Sequence, residues 1–394
     1  MTRSFFEVYL FYVPVLFLLP IFFRHAKYSK ELLIVLILMG ISSLYGVVTE
    51  RNTFDNFLKI YLSIVILYSF YYYAVAYNNF DVFPLFVKYV YFARIVTVIG
   101  ALQMISYLIG FKPGANLNWF FNKWSYVEAG GWLRVNSIIA EPSQLAFVLA
   151  PAIFIAIYNL TNKKKYFFNL FTSLLILVIT VLTFSTHAYI VLVLCVIIIL
   201  MRRVSLGKSL VFLSVLTALL VLIYNNVEMV RIRLDDSFMI ANDYNKMANS
   251  YQLSRLNTSS FTLYNNALVS IKSFESSPLV GSGLGSHSIS FDKYSLTNQY
   301  YLPFQDFNKQ DANSLGLRIM SELGLLGLGI FLYILIKFRV KRTARDEVWI
   351  ISHSILVMML AALLREGHYF ISGVPLFIFI YIYIKRSETT PVNA

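Results

Sequence analysis

Three observations predict an all-α bundle of about eleven transmembrane helices (ten to twelve) with one large extracytoplasmic loop. Of 394 residues, 58% are hydrophobic, 17% aromatic and only 13% charged, and the mean hydropathy is +0.67. A soluble domain carries roughly 25% charged residues, so this chain lacks the polar surface to face water all round. Apolar runs of spanning length recur along the chain, and the basic residues between them fall mainly on one side.

A helix needs about 20 mostly apolar residues to cross a bilayer. Such runs lie at 5–23, 32–48, 57–77, 84–110, 138–158, 167–184, 188–201 and 208–224, then at 312–336, 348–364 and 369–384. Residues 1–224 therefore read as helices one to eight. Residues 225–310 form the large loop, and 311–394 hold the last three helices and a cytoplasmic tail. Residues 1–30 hold no charged n-region followed by a small-residue cleavage site, so the first run reads as a retained helix. With the N-terminus outside, the cytosolic segments carry sixteen Lys/Arg and the short outer segments six, as the positive-inside rule demands. Loop 225–310 holds seven basic and seven acidic residues, so the net charge of +13 is an inner-face excess suited to anionic lipid. No folded domain carries a basic face, which excludes a nucleic-acid partner. The single cysteine, Cys195, permits no intrachain disulfide and sits in an apolar run.

Ionisable groups in or beside spans are costly and mark candidate function. In Arg134-Val-Asn-Ser-Ile-Ile-Ala-Glu141-Pro-Ser, Pro142 frees a backbone carbonyl, and a broken first turn can turn polar groups toward a cavity. Arg134 can pair with Glu141 or with an anionic ligand; a structural ion pair capping the helix is the plainer reading. After the long loop, Asp311, Arg318 and Glu322 are spaced by seven and four, which puts them on one face of a helix. A local Arg318–Glu322 pair accounts for two of them, and Asp311 stands at the outer surface beside Asn313. Gly324 and Gly327 suit close helix packing. Within the loop, Phe261, Tyr264, Leu268 and Ile271 are spaced as the apolar face of an amphipathic helix that can lie on a membrane. The stretch Ser277-Pro-Leu-Val-Gly-Ser-Gly-Leu-Gly-Ser-His287 lacks the Lys-Ser/Thr of a P-loop. Its backbone N–H groups can cradle an anion, and a tight turn explains it equally well. Arg365, Glu366 and His368 share one short outer turn, and His187, read as structural, occupies another. All these clusters fall on the outer side, so they are expected to converge on one outer-facing cavity.

Three local patterns resemble the bacterial O-antigen polymerase and ligase superfamily. They are Arg134…Glu141-Pro-Ser, Arg255…Ser-Pro-Leu-Val-Gly-Ser-Gly, and Asp-Ala-Asn-Ser…Ser-Glu-Leu-Gly-Leu-Leu-Gly from Asp311, in that order between about 130 and 370. Ligases typically show His-Asn where this chain has Ala312-Asn313, and Arg in the turn that here carries His187. The resemblance is therefore closer to the polymerases. It implies a GT-C-like bundle in the bacterial plasma membrane that transfers a growing undecaprenyl-pyrophosphate-linked glycan onto a lipid-linked repeat unit. A chain-length regulator and a flippase are the protein partners it implies. Such chemistry needs a base, with Asp311 or Glu141 first and His287 or His368 next. It also needs cations for the departing pyrophosphate, and Arg134, Arg255 and Arg365 suit that role. Asn313, Arg318 and Glu366 complete the expected substrate-binding set. No Asp-x-Asp and no clustered His or Cys appear in the outer loops, so neither a metal nor another cofactor is expected. A ligase is the alternative, and a secondary transporter is the rival from a different class. The transporter reading is disfavoured by the absence of a duplicated pattern. An acidic-motif mannosyltransferase is disfavoured by the eight-residue outer loop Thr49–Asn56.

Overall fold

The computed structural model describes residues 12–24, 28–120, 126–203, 258–298, 306–370 and 373–388, with isolated residues between 214 and 239. The described residues are helical or in turns and connecting segments apart from a hairpin in which Glu128–Ala129 pairs with Trp132–Leu133. The helices are α1 (Tyr12–Phe23), α2 (Lys30–Val48), α3 (Phe54–Tyr77), α4 (Phe83–Leu108) and the single turn α5 (Lys112–Ala115). Then come α6 (Pro142–Val148), α7 (Ala150–Asn162), α8 (Leu170–Leu182) and α9 (Thr186–Arg203). The rest are α10 (Thr258–Ser276), α11 (His287–Tyr294), α12 (Leu315–Lys337), α13 (Asp346–Arg365) and α14 (Val374–Ile384). Their starts follow local chemistry. Ser29, Thr53 and Asn169 accept hydrogen bonds from Leu32, Asn56 and Thr172 N–H at the heads of α2, α3 and α8, each satisfying an orphan donor.

Among the described residues five helices, α2, α3, α4, α12 and α13, are long and apolar enough to cross a membrane, and a sixth crossing is formed if the bent pair α6–α7 counts as one. Among the described residues α1, α8, α9 and α14 are shorter; α14 has 11 residues, about 16 Å of rise. Most of the expected span 208–224 and residues 1–11 lie outside the described residues. The expected entry at 138–158 differs in one respect. Pro142 starts α6 cleanly, and the 61° bend falls between Val148 and Ala150. There Pro151 has no N–H to continue the ladder.

The chain forms two compact units that cut across its sequential division. The first comprises Met1–Asn79, Leu219–Lys337 and Ala362–Leu376, the second Phe80–Ala218, Phe338–Ala361 and Phe377–Ala394.

In the first unit, α10 packs along α12 and α2 crosses α12. The face of α10 that is buried is the polar one: Thr262, Asn265, Asn266, Ser270 and Ser273, with Phe261 and Val269. Of the apolar stripe expected to suit a membrane surface, Phe261 is buried, Tyr264 and Leu268 are half-buried and Ile271 is exposed. Partner hydroxyls and amides decide the outcome. Ser273 meets the Ser282 and Ser290 hydroxyls at 3.2 and 3.0 Å, and Asn265 bonds Ser295 at 3.0 Å.

The glycine-rich stretch is a backbone splice. Helix α12 is interrupted at Gly324, which has φ 59° and ψ −148°. The interruption releases the Ser321 and Glu322 carbonyls and the Leu325 and Leu326 N–H groups. Ser282 and Gly283 N–H donate to those carbonyls at 3.0 and 2.7 Å, and the two freed N–H groups donate to Pro278 O and Leu279 O at 2.8 and 3.0 Å. All four groups are thus satisfied inside the fold, as a non-aqueous environment requires. Leu284 N–H goes to Ser43 Oγ and Gly281 N–H to Ser277 O. These N–H groups are therefore used within the chain, and the anion cradle allowed by the sequence is not formed.

In the second unit an irregular segment before α6 is held from α4. Gln103 Nε2 donates to Ala115 O and Asn136 Oδ1, both at 3.0 Å. Its Oε1 accepts from Asn136 and Ser137 N–H at 3.2 and 2.8 Å. One amide near the end of α4 thus fixes the buried residues Asn136 and Ser137 between Arg134 and Glu141.

Candidate functional site

The site grows from the turn that leads into α12. Asn308, Ala312 and Asn313 all take left-handed backbone, with φ 57°, 58° and 58°. The turn is closed by Asp311, whose Oδ1 accepts from Asn308 Nδ2 at 2.8 Å and Asn313 N–H at 3.0 Å. Ser314 then caps the helix, accepting from Leu317 N–H at 3.2 Å and donating to Leu363 O at 2.6 Å. Asp311 therefore precedes α12 and does not share its face, so the seven-residue spacing to Arg318 is not the relation that positions it.

A second strand of chain closes on this turn. At Gly367 a Cβ would lie 1.8 Å from Asp311 O, so only glycine permits the approach. The approach brings His368 Nε2 to 2.9 Å from Asp311 Oδ2. The carboxylate side chain is 13% exposed and the imidazole 31% exposed, so the pair opens outward through the histidine. Burial opposes the Asp311 charge. The hydrogen bond and charge of His368, with the donors from Asn313 and Asn308, outweigh it and hold the carboxyl at about 2, below its usual 3.8. Asp311 is ionised throughout the neutral range, and the stability this contributes is lost only between about pH 3.8 and 2.

Beneath the pair lies a closed ionic network. Arg318 and Glu322 are 3% and 0% exposed and meet at 3.1 Å. The guanidinium also donates to Gly367 O at 3.0 Å and stands 4.6 Å from the centre of the Tyr369 ring. Tyr369 hydroxyl donates to the other Glu322 oxygen at 2.8 Å. Each charge is compensated locally, which is the condition for burying such a pair. Arg318, expected to touch substrate, is instead the bolt that holds Gly367 against Asp311. Nothing in their own sequence setting marks Tyr369 or Gly367 as part of a site beyond direct continuity with Glu366 and His368.

His287 is likewise structural. It is fully buried, with Nε2 2.9 Å from Asn266 Oδ1 and Nδ1 3.2 Å from Ser321 Oγ. Asn266 spends its own Nδ2 on Thr262 O, so Nε2 must be the protonated ring nitrogen. Burial, reinforced by the Arg318 charge and only partly opposed by Asp311, lowers its pKa from 6.5 to about 3. The unfolded chain takes up a proton near pH 6.5 and the fold resists it down to about 3, so stability present above pH 6.5 should fall through that window. The expected slope is about 1.4 kcal/mol per pH unit. Melting of the purified protein across pH 7 to 4, beside His287→Gln, checks this: the two curves should converge as pH falls, and parallel curves would refute it.

Arg365 and Glu366 are half-buried at the end of α13 and in the turn beyond it, adjoining His368. In the second unit Arg134 is half-buried, and its Nε donates to Thr183 O at 3.2 Å. Glu141 sits at the N-cap of α6, where its carboxylate accepts from Ser143 Oγ at 3.1 Å. His187 is buried, its ring 5.2 Å from that of Phe147. Asp311, Asn313, Arg318, Arg365, Glu366 and His368 thus lie in one unit, and Arg134, Glu141 and His187 in the other. Arg255 lies outside the described residues. Among the described residues no group of three or more His, Cys, Asp or Glu side chains is gathered as a metal site.

The arrangement can move a proton. A histidine oriented through one nitrogen by an ionised carboxylate presents the other nitrogen as a general base. A scan of protein-family models matches nothing in this chain, and a search of curated proteins likewise finds no match.

Proposed function

We propose that this chain is a polysaccharide polymerase of the bacterial plasma membrane, a bundle of about eleven spans in a GT-C-like arrangement with its large loop outside. It transfers a growing undecaprenyl-pyrophosphate-linked glycan onto a single lipid-linked repeat unit. The observation that carries the reading is the half-open Asp311–His368 pair at the head of an apolar helix, 2.9 Å apart and braced from below.

His368 is the base and Asp311 its orienting group. With Nε2–H donated to Asp311, Nδ1 takes the proton of the acceptor hydroxyl as that oxygen bonds to the anomeric carbon of the donor. The anomeric C–O bond to pyrophosphate breaks, and its electron pair leaves with the undecaprenyl carrier. Arg365, three residues before His368 in sequence, is the cation offered to the leaving pyrophosphate. A chain-length regulator and a flippase are the partners this role requires.

A secondary transporter is the second reading, favoured by the interrupted helix α12, since broken helices build transporter sites. The backbone groups freed at Gly324 are all bonded to the 278–283 segment, so they offer no ligands to an ion. That favours the enzyme. Purified protein supplied with lipid-linked repeat units should yield a ladder of carrier-linked polymer on a gel. Transfer of preformed glycan only to a different acceptor would mean a ligase. Solute uptake into vesicles without any new glycosidic bond would mean a transporter.

A further inference from the structure

We propose that α4 and the segment following α7 form a binding site for the headgroup of an anionic phospholipid. The inference needs only that α4 lies in a bilayer and does not rest on the polymerase reading.

Arg94 carries the argument. It is the twelfth residue of the 26-residue helix α4, about 16 Å of rise from its start. A guanidinium offers five N–H donors and no acceptor, and one inside a span is costly unless those donors are met. Here Nη2 donates to Phe167 O at 3.2 Å, while Nε is buried without a partner. No carboxylate among the described residues lies within ion-pair distance of it. The Tyr91 and Phe168 rings flank the guanidinium at 5.7 and 5.9 Å.

The neighbouring segment adds charge in a fixed place. Asn159 Nδ2 donates to Tyr166 O at 2.9 Å and Phe168 O at 3.1 Å, and its Oδ1 accepts from Tyr166 N–H at 3.0 Å. That clamp positions Lys163, Lys164 and Lys165, all exposed, on the chain that contacts Arg94. None of the three is paired with a carboxylate among the described residues. On α4 itself, exposed Lys88 lies beside Tyr91, and exposed Tyr91, Ile95, Val98 and Leu102 continue along one face.

Phosphate oxygens match the open donors of Arg94 bidentately, the lysines compensate negative charge, and the apolar face accommodates acyl chains. A zwitterionic lipid would bring an extra cation into a place that already holds several. Free phosphate would use the cations and leave the apolar face unexplained. The competing account is an arginine that only reaches down to cap Phe167 O.

Thermal melting of the detergent-purified protein with added phosphatidylglycerol, phosphatidylcholine or glycerol phosphate separates these possibilities. Phosphatidylglycerol should raise the melting temperature clearly more than phosphatidylcholine, with no rise from glycerol phosphate. Arg94→Gln, and independently Lys163→Gln/Lys164→Gln/Lys165→Gln, should lose that increment. Because the three lysines are exposed, their variant should fold even where Arg94→Gln does not. Native mass spectrometry should find phosphatidylglycerol retained by the parent protein and reduced several-fold in the triple variant. Equal rises with both lipids, an equal rise with glycerol phosphate, or an undiminished increment in the triple variant would overturn the proposal.

Discussion

His368→Ala should cut polymer formation by roughly 10²- to 10⁴-fold, the usual worth of a general base, in a protein that still folds. The imidazole is 31% exposed, more open than the Asp311 carboxylate it meets. Removing the imidazole should therefore cost little packing. Asp311→Asn is the companion variant. The asparagine Oδ1 still accepts from Asn308 and Asn313, so the turn survives, while the negative charge that orients the imidazole is gone. A loss of the same order is expected, and it should not be additive with His368→Ala, because the two act as one unit. Quantifying the ladder from equal amounts of membrane-inserted protein decides the matter. Full-length polymer from His368→Ala would remove the pair from catalysis and shift attention to Glu141.

Gly324→Ala should be strongly destabilising, with a loss of about 3 kcal/mol or more. The residue holds a backbone conformation essentially reserved for glycine, worth about 1–3 kcal/mol of strain to any other residue. A Cβ there would also lie 2.6 Å from Pro278 O and 2.7 Å from Gly281 N. Displacing that segment would strand four buried backbone groups, each costing about 1–3 kcal/mol unpaired. Gly329→Ala, one and a half turns further along the same helix, is the control. Nothing lies within 4 Å of its added methyl, and helix propensity favours alanine by about 0.5–1 kcal/mol. Melting in detergent should show a large drop for the first and none for the second. Similar behaviour of the two would mean the splice at Gly324 contributes little.

Much of this protein is legible in its residues because a bilayer leaves few choices. Backbone groups must be bonded within the chain, so long apolar runs become helices, and α2, α3, α4, α12 and α13 fall close to the runs that announce them. Local pairs are legible for the same reason. Arg318 and Glu322, four apart on one helix, meet as their spacing requires. Continuity along the chain also marks Arg365, Glu366 and His368 as one cluster.

Long-range relations are different. Nothing near Asp311 names His368 as its partner, since 57 positions separate them and the link depends on a missing side chain at Gly367. Helix α10 shows the same limit. Its spacing marks an apolar stripe but not the burial of its serines and asparagines, which follows from the partners that Ser282, Ser290 and Ser295 supply. The glycine-rich stretch could be read as an anion cradle until the interruption of α12 supplied carbonyls for its N–H groups. The sequence by itself determined the five long apolar helices and the local ion pair, because those follow from backbone bonding and short-range spacing. Tertiary structure alone decided which distant groups meet, because each meeting depends on partners that only the packed chain brings within hydrogen-bond reach.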